Sequence, residues 1–216
     1  MYQFHHPVAI FLYRFSNVNL HNWFQFYLKD EYTVKLKSAE IFNSVIFEAK
    51  YYRMKKIFTR YAAYNVWANQ RLATCIGKLT EEQVNRALTS SFSSIYATVL
   101  HLWDAESIWW QRLKMKESLE IPGANFTGDA AELCNNLIRQ SILWSEWAEQ
   151  ATEAALEHEF IYRNSKKEQF KQPVHEVMLH LFNHQSYHRG QLVTMFRQVG
   201  MKDIPGFDYI LFTRGK

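Results

Sequence analysis

The stretch LFNHQSYHRGQL, residues 181–192, places two histidines four positions apart within the apolar spacing of an α-helix. At about 100° per residue, His184 and His188 share the apolar stripe that contains Leu181, so both imidazoles are predicted to face the core. His180 lies about 60° away on the other side and about 12 Å along the axis from His188. It is therefore predicted to flank the pair.

Two buried imidazoles on adjacent turns need partners, because each unsatisfied polar group costs about 1–3 kcal/mol. A divalent metal ion satisfies both at once, since the i, i+4 spacing lets two rings approach one ion at about 2.0–2.1 Å. Gln185 follows His184, so the glutamate of H-E-x-x-H proteases is missing. Ordinary hydrogen bonding in the core is the alternative interpretation of the pair.

A third imidazole comes from an earlier helix, where His101 lies in TVLHLWDAESIWWQRL, residues 98–113. Ser94, Ala97 and Ala105 share its helix face, and these small side chains let a neighbouring helix come close. Three histidines from two helices leave positions open for water or substrate, as in a catalytic metal site. The alternative is a lone core histidine that satisfies one hydrogen bond.

The composition indicates a helical globular domain in a reducing compartment. Of 216 residues, 48% are hydrophobic and 21% charged, with 7 Gly and 4 Pro, which favours helices over a turn-rich β-fold. The net charge of +4 comes from scattered residues, which disfavours a nucleic-acid partner. No apolar run reaches the roughly 18 residues of a membrane span. Cys75 and Cys134 lie outside disulfide and metal-site spacings, so a cytoplasmic location is expected.

The periodicity predicts four long helices at about residues 55–78, 91–116, 129–155 and 173–200, which together make an all-α four-helix bundle. Asp129 is predicted to cap the third helix, and Thr80 with Gln83 has the spacing of a capping box. The stretch EFIYRNSKKEQF, just before the last helix, alternates in part and is compatible with a short hairpin.

Residues 1–53 differ from the remainder of the chain, because they carry many aromatic residues but no sustained helical period. Met54, followed by two lysines, resembles a natural protein start. We therefore expect residues 1–53 to be an N-terminal extension, either poorly ordered or translated from upstream of the true start. Residues 54–216 are expected to form the functional domain.

Three segments resemble the DinB family, also called DinB/YfiT-like proteins: YNVWANQRL at 64–72, HLWDAESIWWQRL at 101–113 and HLFNHQSYHRGQL at 180–192. The resemblance covers about residues 54–212. It implies an up-down-down-up four-helix bundle, commonly dimeric, that holds a divalent metal such as Zn, Ni or Mn through three histidines. In this sequence those ligands fall on His101, His184 and His188.

The resemblance also implies a range of activities, including metal-dependent S-transfer with low-molecular-weight thiols, thiol-dependent isomerisation and hydrolysis. We expect a metal-dependent transferase that activates a small thiol toward an electrophilic substrate, and a homodimer without nucleic-acid or membrane partners. A hydrolase using metal-bound water and a non-catalytic metal-binding bundle are the alternatives.

Asn65 and Gln191 lie on inward stripes and are candidates for hydrogen bonds to the ligands, or to core neighbours. Arg189 projects about 100° from His188 and is predicted to hold a neighbouring helix or loop, with binding of an anionic substrate as the alternative.

Overall fold

The computed structural model describes the backbone of residues 38–164 and 166–215, with side chains from residue 54 onward. The expectation for residues 1–53 falls mainly outside these described residues and stays a prediction. The compact unit described below spans Ala49–Lys216. Within the described residues, no helix is both long and apolar enough to cross a lipid bilayer.

Four long helices and a small hairpin make up the described fold, which confirms the predicted all-α four-helix bundle. In chain order the elements are α1 (Ser38–Ile76), α2 (Glu81–Asn85), α3 (Ile95–Leu113), a 3-10 turn (Pro122–Asn125), α4 (Ala130–Gln150), α5 (Glu153–Glu157), β1 (Glu159–Arg163), β2 (Gln169–Pro173), α6 (Val174–Gln198) and α7 (Tyr209–Thr213). The strands pair antiparallel, with Glu159 opposite Pro173. The hairpin therefore includes the stretch EFIYRNSKKEQF, whose partial alternation of apolar and polar residues predicted it.

Polar side chains begin several of these helices by accepting a hydrogen bond from a free backbone N–H in the first turn. Asp129 accepts from the backbone N–H of Glu132, as predicted. Thr80 and Gln83 form the predicted reciprocal capping box. Ser94 caps α3, which fixes the start of the helix that carries His101.

Two predicted helix boundaries are wrong. The backbone is helical from Ser38 rather than from about residue 55, because residues 38–53 contain neither Gly nor Pro to interrupt a helix. The third long helix ends at Gln150 rather than near residue 155. It stops there because the Thr152 side chain accepts from the Ala155 N–H and begins a separate short helix.

Two apolar clusters fill the bundle, and their members define the directions of the four helices. The first contains Leu72, Cys75 and Ile76 of α1, Ile95, Val99 and Leu102 of α3, Leu133, Cys134 and Leu137 of α4, and Leu192, Met195 and Phe196 of α6. The second contains Phe58 and Ala62 of α1, Trp144 and Ala148 of α4, and Val174, Val177, Met178, Leu181 and Phe182 of α6, with Trp109, Trp110 and Leu113 of α3 packed against it. The C-terminal ends of α1 and α6 thus meet the N-terminal ends of α3 and α4. This is the up-down-down-up order that the resemblance implied.

Candidate metal centre

Three imidazoles meet between α3 and α6, at the level where the two apolar clusters adjoin. The Nε2 atom of His184 lies 3.1 Å from Nε2 of His101 and 3.1 Å from Nε2 of His188. The potential ligand atoms of all three side chains lie within 4.8 Å of one another. The structure therefore brings together the three histidines that the helix spacing and the resemblance selected.

His180 stays outside this cluster, as the helix geometry predicted. Its ring centre lies 6.0 Å from that of His184, and the side chain is exposed. It packs edge-on against Trp109, with ring centres 5.5 Å apart. The third histidine of the opening segment therefore flanks the site.

The two measured separations between the ring nitrogens fit a shared cation. Two nitrogens that each lie about 2.0–2.1 Å from one ion are about 2.9 Å apart at a right angle and about 3.4 Å apart at the tetrahedral angle. The two observed separations of 3.1 Å fall between these limits. The imidazole donor set is also one that Zn and other first-row divalent ions accept.

The hydrogen bonding of His188 favours a cation between these nitrogens. Its Nδ1–H donates to Oε1 of Gln191 at 2.8 Å, and Nε2 of Gln191 donates to Oγ of Ser91 at 2.8 Å. The remaining nitrogen of His188 therefore presents its lone pair to His184. A single proton on His184 Nε2 cannot point at both neighbours, so one close contact is left without a proton, a conflict that a cation would remove.

Electrostatics keep two of the three imidazoles in the form that binds metal. The pKa of His101 falls to about 4, chiefly because burial disfavours its charged form and secondarily because of the nearby His188. The pKa of His184 also falls to about 4, first through burial and then through the neighbouring His188, His101 and His180. Both rings are therefore neutral near pH 7, as metal ligation requires.

Aromatic side chains pack against two of the three histidines. Phe92 stacks on His101, with ring centres 4.2 Å apart, and tilts against His188 at 5.6 Å. Tyr187 packs edge-on against His188, although 62% of its own surface is exposed. His101 and His184 are half-buried, and His188 is buried.

Asn65 and Gln191, the two residues predicted to hydrogen-bond to the ligands or to core neighbours, contact different groups. Gln191 hydrogen-bonds directly to His188, as described above. Asn65 is fully buried and takes the alternative role of satisfying core neighbours. Its Nδ2 donates to Oε1 of Glu106 at 2.7 Å, and its Oδ1 accepts from Nη1 of Arg189 at 2.7 Å. Arg189 thus holds α1, as predicted.

Sequence reasoning missed Glu106, which lies at the centre of this buried polar cluster. The Ser141 hydroxyl lies within 3.0 Å of both carboxylate oxygens, and Nδ2 of Asn69 lies 3.4 Å from Oε1. Burial raises the pKa of Glu106 to about 7, outweighing the lowering by Asn65, Ser141 and Arg189. The sequence does contain a pattern that predicts burial of Glu106, because this residue follows the buried positions 95, 99 and 102 at helical spacing.

Three imidazoles that converge from two helices of one bundle are typical of helical proteins with a mononuclear metal centre. The sequence profile of the DinB family matches residues 54–216. The chain belongs to the DinB family.

Known relatives agree with this assignment. Protein DinB of Bacillus subtilis (strain 168) is 27% identical over 163 residues, which cover 69% of this chain and 89% of that protein. The crystal structure of a DinB-like protein from Bacillus cereus ATCC 10987 superimposes with a TM-score of 0.55 at 18% identity. The match covers 69% of this chain and 94% of that chain, and it shows the shared fold.

Proposed function

We propose that this DinB family member holds one divalent metal ion through His101, His184 and His188, and that it is a transferase acting with a low-molecular-weight thiol. The observation that supports the metal site most directly is the pair of 3.1 Å separations between Nε2 atoms of three imidazoles. A bound divalent ion would supply Lewis-acid activation of the thiol.

The surroundings of the three histidines favour a thiol over water as the nucleophile. Their described hydrogen bonds go to one another and to the Gln191 amide, and none goes to a carboxylate. Position 185, where H-E-x-x-H enzymes carry a general base, holds Gln185. A divalent ion lowers the pKa of a bound thiol and of bound water alike, and the thiol starts from the lower ordinary value, about 8.5 against 15.7.

The thiol in this proposal comes from a separate molecule, because both cysteines of the chain are buried and free. Burial raises the pKa of Cys134 to about 12 and also raises the pKa of Cys75. Both side chains are therefore protonated near pH 7 and enclosed in the first apolar cluster. Neither can serve as the nucleophile without opening the core.

The protein's own residues would orient the reactants. Gln191 fixes the proton of His188 on Nδ1, so that Nε2 faces the centre. Phe92 covers one face of His101 and restricts approach to the other side. Thiol and electrophile would have to reach the ion from the side of His101 and His184, because these two ligands are half-buried whereas His188 is buried.

The test begins with protein purified without a His-tag column, whose metal is identified by elemental analysis. The loaded protein is then mixed with bacillithiol, glutathione or coenzyme A and an aromatic halide electrophile, and thioether formation is measured. Thiol-dependent turnover that is absent in the His101→Ala variant would support the proposal. Ester hydrolysis without a thiol would indicate a hydrolase, and no turnover with any thiol or ester would indicate a non-catalytic metal-binding bundle.

We further propose that the protein acts as a homodimer in the cytoplasm. The dimer is supported by the DinB family resemblance, and the reducing compartment by the two free buried cysteines. Light scattering coupled to size-exclusion chromatography would give a mass of twice 25.8 kDa for a dimer. A monomer mass at micromolar concentration would contradict this proposal.

A further inference from the structure

A second pair of polar side chains runs along α6 beside the histidines. Gln185 follows His184 and Arg189 follows His188, so this pair lies about 100° around the helix from the imidazoles. Gln185 has no exposed surface, and only 2% of Arg189 is exposed. Burial of an amide and a guanidinium on one helix face requires a physical explanation.

Gln185 connects the two metal-binding helices directly. Its Nε2 donates to the backbone oxygen of Leu102 at 2.9 Å, and Leu102 follows His101 on α3. The hydrogen bond therefore joins the helical turn that carries His184 to the turn that carries His101. It acts across the same interface as the close contact between those two imidazoles.

Arg189 fixes the same helix from another side. Its Nη1 donates to Oδ1 of Asn65 at 2.7 Å and to Oδ1 of Asn69 at 3.2 Å, both on α1. Its Nη2 donates to Oγ of Ser186 at 3.0 Å, within α6 itself. Since Asn65 donates in turn to Glu106 on α3, hydrogen bonds run from α6 through α1 to α3.

Rotation of α6 about its axis is the motion that these contacts oppose. An imidazole nitrogen lies about 6 Å from the helix axis, so a rotation of about 10° moves it by about 1 Å. Metal–ligand distances tolerate only about 0.2 Å. A hydrogen bond weakens steeply when its angle changes, so these contacts oppose such a rotation in addition to the apolar packing.

We propose that Gln185 and Arg189 are positioning residues that fix the rotation of α6 and so direct His184 and His188 toward His101. This inference rests on the proposed metal-binding function. Stability alone does not explain the two side chains. Among the described residues, Oε1 of Gln185 and Nε of Arg189 are buried without a hydrogen-bond partner, and an apolar side chain would avoid that penalty.

The variant Gln185→Leu tests the inference, because leucine fills a similar volume without the amide. We expect the dissociation constant for Zn(II), measured by chelator competition, to rise about tenfold, as for other groups that orient metal ligands. The unfolding midpoint of the metal-free variant should equal or exceed that of the wild type. Met178→Leu is the matched control, because Met178 is a fully buried side chain of the same helix in the second apolar cluster, and it should leave both quantities unchanged.

Zn(II) affinity within twofold of the wild type in a folded Gln185→Leu protein would overturn the inference, as would a loss of affinity that Met178→Leu reproduces. A metal-free crystal structure of the variant gives a readout that does not depend on metal binding. We expect the distance between Nε2 of His101 and Nε2 of His184 to increase from 3.1 Å. An unchanged distance would overturn the inference even if the wild type bound no metal, an outcome that would separately refute the proposed function. If Gln185→Leu does not fold, Gln185→Met provides the same two measurements.

Discussion

At the scale of single residues, three histidines of one helix have different surroundings despite their close spacing in sequence. His184 and His188 each place a nitrogen 3.1 Å from another imidazole nitrogen. His180 is exposed and contacts the ring of Trp109. Only the first two therefore have the geometry to share a ligand with His101.

This difference in surroundings predicts that two alanine variants differ in their content of bound metal. His184→Ala should reduce bound divalent metal by at least tenfold, because it removes the imidazole that contacts both others. His180→Ala should change the metal content little. Elemental analysis of both proteins after dialysis against the same metal buffer measures the effect, and equal losses would show that the wrong pair was chosen.

Glu106 predicts how the folding stability depends on pH. Its pKa is raised from 4.5 to about 7 in the folded protein, so the folded state binds more protons than the unfolded state between these values. Its contribution to the free energy of unfolding is therefore fully present below pH 4.5 and is lost as pH rises through about 7. For this buried carboxyl, the loss between pH 5.5 and 7.5 should be about 2 kcal/mol.

The comparison of wild type with Glu106→Gln isolates this contribution, because glutamine keeps the shape of the side chain but does not titrate. Urea unfolding at several pH values should show the wild type losing stability relative to the variant as pH rises from 5.5 to 7.5. The titration of His101 and His184 is common to both proteins and cancels in the difference. A constant difference across this range would mean that Glu106 has an ordinary pKa in the folded protein.

At the scale of elements, one arginine fastens the hairpin to the bundle. The Arg112 guanidinium of α3 lies 4.4 Å from the ring centre of Trp109 and 5.1 Å from that of Tyr162 in β1. Its Nη2 also donates to the backbone oxygen of Arg163 at 2.9 Å. The hairpin is therefore held by a cation–π contact and a hydrogen bond beyond its own pairing.

Arg112→Met should loosen the hairpin while leaving the bundle intact. Methionine keeps an unbranched apolar side chain but loses the donor and the charge, together worth about 1–2 kcal/mol. Amide hydrogen exchange in β1 and β2 should accelerate about tenfold, with no change in the centre of α3. Lys171→Met is the control, because the exposed ion pair between Lys171 and Glu159 contributes little. Equal acceleration in both variants would contradict a specific role for Arg112.

At the scale of the whole compact unit, the proposed metal centre would join two helices that are far apart in sequence. His101 and His184 are separated by 83 positions, and their helices also contact through both apolar clusters. An ion bound only by the folded arrangement stabilises the entire bundle, because unfolding separates its ligands.

Metal loading should therefore raise the melting temperature. Zn(II) at about one hundred times its dissociation constant adds about 2.7 kcal/mol, which corresponds to about 5–10 °C for a domain of this size. Differential scanning calorimetry with and without metal measures the shift. The His101→Ala variant should show little shift, and a full shift in that variant would place the stabilising ion elsewhere.

Much of this architecture could be predicted from local spacing. Asp129 and the pair Thr80 with Gln83 occupy the capping positions that their side chains specify. The alternation of apolar and polar residues after residue 158 predicted the hairpin, and the four segments with apolar residues at helical spacing form the four long helices. The start of α1 and the end of α4 were misjudged, because helix ends depend on small differences among caps and packing.

The sequence by itself determined which faces of the helices are apolar and that His184 and His188 share one of them, because the helix repeat converts spacing in sequence into direction in space. Only the tertiary structure decided that His101 meets that pair, that Asn65 serves Glu106 rather than a ligand, and that Gln185 joins α6 to α3. These contacts depend on how the helices are rotated and offset against one another. That arrangement follows from the packing of the complete core, which no single segment encodes.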